Sequence, residues 1–241
     1  MNGLLESIRE NVIFVLEFLA VVAVVFIVAY LLEKLAKKKR GEEGKGLNVR
    51  KITMIGLFSA IAMILMLFEF PLPFAPSFYE LDLSELPVLI GTFAFGPAAG
   101  VFIEFCKILL KLVFKGTSTA LVGDLANFVV GCSLILPASL VYEFKKTKKG
   151  AMLGLITGTL SISLFGSVFN ALYLIPAFSK LYGVPLDSLI AMGTAVNPAI
   201  TNINTFVFFA VFPFNLLKGT LVSVLTLLLY KPLRPILKGQ N

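Results

Sequence analysis

The chain has 241 residues, 58% hydrophobic and only 15% charged, with a mean hydropathy of +0.93. A water-soluble domain carries about a quarter charged residues, and here the charges gather between long apolar runs, which excludes a soluble globular enzyme, a disordered chain and a disulfide scaffold. The net charge of +7 does not signal nucleic-acid binding. Most basic residues cluster at Lys34 to Lys51, Lys145 to Lys149 and Lys231 to Lys238, each beside an apolar run, as lysines do that hold loops on the cytoplasmic side of a membrane. The expected fold class is all-α, a polytopic membrane protein in contact with lipid.

A membrane-spanning helix needs roughly 20 apolar residues to cross a hydrocarbon core of ~30 Å. Val12 to Leu32 meets this with Glu17 as its one charge. The preceding Glu6, Arg9 and Glu10 are not the basic start of a signal peptide, and no small-residue cleavage site follows. Residues 1–33 therefore read as a retained extra transmembrane helix, 34–48 as a cytoplasmic linker rich in Lys, Glu and Gly, and 49–241 as the main membrane domain. Ile52 to Phe70 is the next span. The run Pro71 to Glu85 holds too much proline and acid for a helix in lipid.

Leu86 to Cys106 reads either as one helix or as a short helix, a turn at Gly96-Pro97 and a second helix to about Phe114. Charge asymmetry decides. With Lys34 to Lys51 cytoplasmic, only the broken reading places the other two basic clusters on the same side and the loop with Glu80, Asp82 and Glu85 outside. Ala120 to Tyr142, Ala151 to Pro176 and Phe206 to Tyr230 complete a six-helix body with a cytoplasmic C-terminus. Its second helix, roughly 20 Å long, cannot cross alone. Ala177 to Asn204 is a long external connection with an apolar patch at Leu189 to Met192, a size that goes with a lid or binding element.

Polar groups within apolar helices are costly, and they mark candidate sites. Glu104, Lys107, Lys111 and Lys115 share one helical stripe; an intrahelical Glu104–Lys107 pair is expected, with Lys111 and Lys115 snorkelling outward. Asp124 and Asn127 bridge helices or look into a pocket. Asn170 stands alone in an apolar helix, as interhelical glue or as a pocket group. Asn215 and Lys218 share a face one turn beyond Pro213, which leaves a backbone carbonyl without its donor. Lys218 is too deep to snorkel and needs an acid, backbone carbonyls or a ligand; the ligand is the favoured partner. Amides among many aromatics, with 23 Phe and 6 Tyr in the chain, suit a flat, uncharged, hydrogen-bonding solute.

Other chemistries lack their residues. Histidine is absent, Cys106 and Cys132 fall in apolar stretches as packing residues, and no metal site is expected. There is no phosphate loop, nucleophile elbow or zinc-protease motif, so the chain reads as a binder or carrier, not an enzyme.

The ordered set Glu69-Phe-Pro-Leu-Pro-Phe74, Leu81-Asp-Leu-Ser-Glu-Leu-Pro87, Phe95-Gly-Pro-Ala-Ala-Gly100 with Glu104 and Lys107, Gly123-Asp-Leu-Ala-Asn-Phe128, Asn170 and Pro213-Phe-Asn-Leu-Leu-Lys-Gly219 resembles the substrate-binding S component of energy-coupling factor (ECF) transporters, of the riboflavin-specific type. The resemblance covers about Asn48 to Lys238 and implies a six-helix bundle holding one vitamin near the outer face of a prokaryotic plasma membrane. It also implies partners, a membrane coupling protein and two cytoplasmic ATPases, and no cofactor. It assigns the pocket lining to Phe78, Tyr79 and Leu81, and the flavin's hydrogen bonds to Asn127, Asn170, Asn215 and Lys218. A bound phosphate, as in FMN, would fall to Lys111 or Lys115. Docking to the coupling protein uses small residues on the first body helix, here Gly56 and Ala60 in Gly56-Leu-Phe-Ser-Ala60. The extra helix Val12 to Leu32 departs from the family pattern. The alternatives are an S component for another vitamin or solute and a membrane-embedded enzyme using Glu104, Asp124 and Lys218.

Overall fold

A computed structural model describes residues 12–41 and 49–238; Glu6, Arg9, Glu10 and the linker from 42 to 48 lie outside the described residues. Helix α1 (Val12–Lys39) has 28 residues and is about 42 Å long at 1.5 Å per residue. It meets the rest of the protein along one narrow face: Phe18, Ala29 and Ala36 are buried while most of its other large apolar side chains stay exposed, as a lipid-facing surface requires. The Phe18 ring lies 6.1 Å from Phe128 and Phe26 lies 6.4 Å from Phe102. Those partners place α1 against α4 (Pro97–Phe114) and α5 (Val122–Phe144).

After α2 (Val49–Leu67) the chain folds back through a two-residue antiparallel ribbon, β1 (Phe70–Pro71) against β2 (Glu80–Leu81). It then enters α3 (Glu85–Phe95), only 11 residues long. Gly96, at φ 98°, makes the turn into α4, and Pro97 takes the first helical position, where a missing N–H costs nothing. The broken reading of this stretch is thus what the chain adopts. Five stretches of the described residues are long and apolar enough to cross a membrane: Phe14–Lys39, Val49–Leu67, Val122–Phe144, Lys148–Tyr182 and Ile203–Leu233. Helix α3 is too short, and α4 carries Glu104, Lys107 and Lys111 along its length.

Helix α6 (Lys148–Phe169) starts on a Thr147 cap, whose hydroxyl accepts from the Gly150 N–H at 3.0 Å. It lies tightly along α5, because Gly154 and Gly158 present no side chain. A Cβ on Gly158 would stand 2.6 Å from the Leu134 carbonyl oxygen, and one on Gly154 would collide with that of Ala138. Beyond Phe169 the chain widens into a π-helical turn (Asn170–Leu174) and continues as α7 (Ile175–Tyr182), α8 (Leu186–Val196) and the single turn α9 (Ile203–Phe206). A second π turn (Val207–Val211) leads into α10 (Phe212–Lys238). Each π turn ends two residues before a proline, Pro176 or Pro213, whose ring nitrogen cannot complete the regular ladder. The expected stop at Pro176 is therefore not an end, and the helical chain runs on through it to Tyr182.

The basic segments share one end of the molecule. Arg40 pairs with Glu143 at 2.8 Å, the Ala98 N–H donates to Glu33 at 3.1 Å beside the Gly96 turn, and the Tyr230 hydroxyl donates to the Phe93 carbonyl at 3.1 Å. The loop before α3 departs from expectation. Asp82 and Glu85 are 4% and 1% exposed, so they belong to the protein interior and not to a solvated acidic loop.

Candidate ligand-binding site

Because α3 is short, the chain from Asp82 to Glu85 crosses the bundle interior and forms a floor. Above it lies a cavity of 570 Å³ between the β1–β2 loop, α4, α5, the first π turn, α7, α8 and α10. The floor is an alternating chain of charges. The Lys218 ammonium donates to Asp82 Oδ2 at 2.9 Å and lies 3.0 Å from Glu85 Oε2. Behind it Lys107 meets Glu85 Oε1 at 3.4 Å, Glu104 Oε1 at 2.6 Å and the Ser84 hydroxyl at 3.1 Å. Asp82 Oδ1 also accepts the Ser84 N–H at 2.7 Å. Asp82 and Glu85 stand at the N-terminus of α3, where the helix favours negative charge. Burial acts against ionisation of Asp82, but the Lys218 and Lys107 ammoniums and its hydrogen bonds prevail and hold the carboxyl below its ordinary value.

Of the partners open to Lys218, the structure supplies the acids. The deep lysine has acidic partners in Asp82 and Glu85, and its charge is met before any ligand arrives, although it still lines the cavity. Glu104 and Lys107 do pair, fully buried. Lys111 and Lys115 do not snorkel: Lys111 bonds Asp124 at 2.7 Å and Lys115 pairs with Glu69, all four on the cavity wall.

The amides converge. Asn127, Asn170 and Asn215 all line the cavity, and each places one amide N–H on the carbonyl one turn back: Gly123 at 3.3 Å, Gly166 at 2.7 Å and Val211 at 3.1 Å. Asn170 Oδ1 accepts the Tyr79 hydroxyl at 2.6 Å, which ties the loop to the first π turn. Burial pushes the Tyr79 phenol well above its ordinary value, so it remains a donor. The parked N–H fixes each amide's orientation and leaves the other donor and acceptor capacity of Asn127 and Asn215 for an occupant. Aromatic rings close one corner: Tyr79 lies 4.8 Å from Phe78 and 5.6 Å from Phe214, and Phe78 stacks on Phe206 at 6.4 Å. Leu189 and Met192 of α8 reach the cavity, so the apolar patch of the long connection is part of its wall.

Of the residues expected in the pocket, Phe78, Tyr79, Asn127, Asn170, Asn215 and Lys218 line it, and Leu81 does not. The Leu81 side chain is buried with Ala75 and Phe214, because alternation along β2 turns it away from its neighbour Glu80, which does face the cavity. Gly56 and Ala60 sit elsewhere, in a crevice between α1 and α2. Among the described residues no group of His, Cys, Asp and Glu could hold a metal ion. Sequence reasoning missed Asp82 and Glu85 as the partners of Lys218, and it missed the Phe178 and Phe214 walls. The signal for the first was present: Asp82-Leu-Ser-Glu85 before an apolar run is a helix-start pattern, and acids there at membrane depth require cations.

A family model described as "ECF transporter, substrate-specific component" matches residues 50–230. The chain belongs to this family of membrane transporter components, which are not enzymes, and its six-helix S-component fold carries α1 in addition. A solved structure described as the S component of a bacterial ECF transporter is similar, with a TM-score of 0.61 and 34% identity over 78% of this chain and 97% of that one. The riboflavin transporter FmnP of Bacillus subtilis (strain 168) is 30% identical over 81% of this chain and 97% of its own length. The riboflavin transporter RibU of Staphylococcus aureus (strain TCH60) is 34% identical over 79% and 93%.

Proposed function

We propose that this chain is the riboflavin-binding subunit of an ECF uptake transporter in the plasma membrane of a prokaryote, with its C-terminus cytoplasmic. A separate membrane coupling protein and two cytoplasmic ATPases energise it. The observation that carries the reading is the set of three oriented amides and an aromatic corner above a floor whose charges are already paired. Such a cavity recognises a planar solute by hydrogen bonds and ring contacts, and each of its three lysines is already paired with an acid. Asn127, Asn170 and Asn215 face the edges of the flavin in this reading, Phe78 and Tyr79 its plane, and Lys218 a carbonyl oxygen. The test is spectroscopic. Protein purified from cells should carry flavin absorbance or quench added riboflavin, and other vitamins should fail to compete; a colourless protein that leaves riboflavin fluorescence unchanged refutes the assignment.

The lining favours the uncharged vitamin over FMN. Among the described residues five carboxylates and three lysines line the cavity, and Lys111 and Lys115, the expected phosphate partners, are occupied by Asp124 and Glu69. A phosphate would meet surplus like charge. Riboflavin should bind at least about tenfold more tightly than FMN, a difference of about 1.4 kcal/mol, and equal affinities would contradict this preference. We assign docking to the coupling protein to the α2 face with Gly56 and Ala60, where a side chain added at Gly56 meets open space. Gly56→Leu should abolish co-purification with the coupling protein and leave riboflavin binding intact.

A further inference from the structure

A second cavity, larger than the amide-lined one, lies elsewhere in the molecule. A crevice of 1330 Å³ runs between α1 and α2 over a floor from α4. Small residues leave room along it, among them Gly56, Ser59 and Ala60 of α2 and Ala98 and Ala99 of α4. The Ser59 hydroxyl is spent on the Ile55 carbonyl at 2.8 Å, so that group asks nothing of an occupant. Phe102 and Leu109 remain 46% and 43% exposed along it, so the crevice opens sideways toward lipid. Apolar surface at membrane depth does not hold water, and the space must be filled by something apolar.

Its two ends differ. At one end Lys34, Lys37, Lys38 and Lys51 line it with Glu33 as the one acid among the described residues. Glu33 is already engaged, pairing with Lys37 and accepting the Ala98 N–H. The other end is closed by Phe26, Leu109 and Leu110. The lining stops at matching depths on all three helices: Phe26 on α1, Ala60 on α2 and Leu110 on α4. At 1.5 Å per residue these lie roughly 14–18 Å from the lysine end, about half of a ~30 Å hydrocarbon core. A partner helix that crosses the membrane would need a groove of full thickness. One chain of a lipid in one leaflet would not.

We infer that this crevice is a binding site for an anionic phospholipid, with an acyl chain over the small-residue floor and the phosphate at Lys34 and Lys38. The site stands independently of the riboflavin assignment. It shares Gly56 and Ala60 with the docking face, so in the free subunit the lipid occupies what a coupling protein would have to clear.

The test uses the full chain in nanodiscs of equal phosphatidylglycerol and phosphatidylcholine, then stepwise delipidation in detergent with native mass spectrometry of what stays bound. One phosphatidylglycerol per chain should be retained in preference to phosphatidylcholine. The double variant Lys34→Gln/Lys38→Gln should lower that retention roughly 25-fold, from the contribution each lysine makes near an anionic lipid. Lys148→Gln/Lys149→Gln, which removes exposed lysines at the same end but outside the crevice, should leave it unchanged, and unaltered circular dichroism establishes that both variants fold. Equal retention of the two lipids, full retention in Lys34→Gln/Lys38→Gln, or a retained mass equal to a second copy of the chain would each overturn the proposal.

Discussion

The α5–α6 seam and the α6–α10 pair are built from neighbouring helices yet serve opposite ends. Along α5–α6, Gly154 and Gly158 bring one backbone onto the carbonyls of the other, and no space is left. Helices α6 and α10 begin in the same way, with Thr159 and Ser223 hydroxyls 3.0 Å apart. Farther along, the Asn215 side chain lies against Gly166, and Asn170 and Asn215 face the cavity beside π turns that lie against each other. The difference lies in residue types. Small residues without hydrogen-bonding needs close a seam, whereas prolines, amides and paired charges hold one open against the pull of packing.

The most damaging way to break this contrast is to unbalance the floor. Lys218→Met strands Asp82 and Glu85 together and should destabilise the protein by about 3–5 kcal/mol, the usual cost of removing one member of a buried pair. A large fall in thermal midpoint, partly recovered by adding Asp82→Asn, is the expected result. Closing the seam too far comes next. Gly154→Leu forces a side chain against the Ala138 carbonyl, costing about 1–3 kcal/mol or more, read as a lower midpoint or aggregation on size exclusion, with riboflavin affinity affected only through loss of folded protein.

Asn215→Ala should do the reverse. Its loss should weaken riboflavin binding by about 1–3 kcal/mol through an unpaired flavin group and barely move the midpoint, since its own bond is to Val211 in the preceding turn. Tyr79→Phe removes the hydroxyl that holds the loop to Asn170 and should cost about 0.5–1.5 kcal/mol, seen as faster riboflavin release. The smallest effect is that of pH. With the Asp82 carboxyl held below its ordinary value, its pairing stabilises fully above about pH 4 and weakens only as pH falls further. Asp82 should therefore contribute no slope to the midpoint between pH 5 and 8, and a slope there that Asp82→Asn abolishes would contradict the paired floor.

Most of the fold was legible because apolar run length and lysine position are strong signals in a membrane protein. The turn at Gly96-Pro97 is the clearest case: hydropathy alone allowed one helix, and the side on which lysines must lie selected two. The pocket amides were legible for a related reason, since a carboxamide deep in an apolar run has few other uses. What sequence alone missed were long-range partnerships. Lys218 and Asp82 are separated by 136 positions, and the helix-start pattern at Asp82 to Glu85 shows that its acids need cations without showing which cations meet them. Leu81 was misplaced by one step of alternation, a distinction that depends on the register of a two-residue ribbon. The π turns escaped because proline announces a defect in a helix without saying whether the chain stops, kinks or widens.

Those two widened turns have a mechanical consequence. They interrupt α6–α7 and α9–α10 at adjoining positions, one after the other in the bundle, above the Thr159–Ser223 clasp. A regular α-helix resists bending because each residue is stapled to the one four back, and here that ladder changes to the wider π register at one shared level. Any bend concentrated at that level would move α7 and α8 relative to the glycine-packed base, at the wall of the cavity itself.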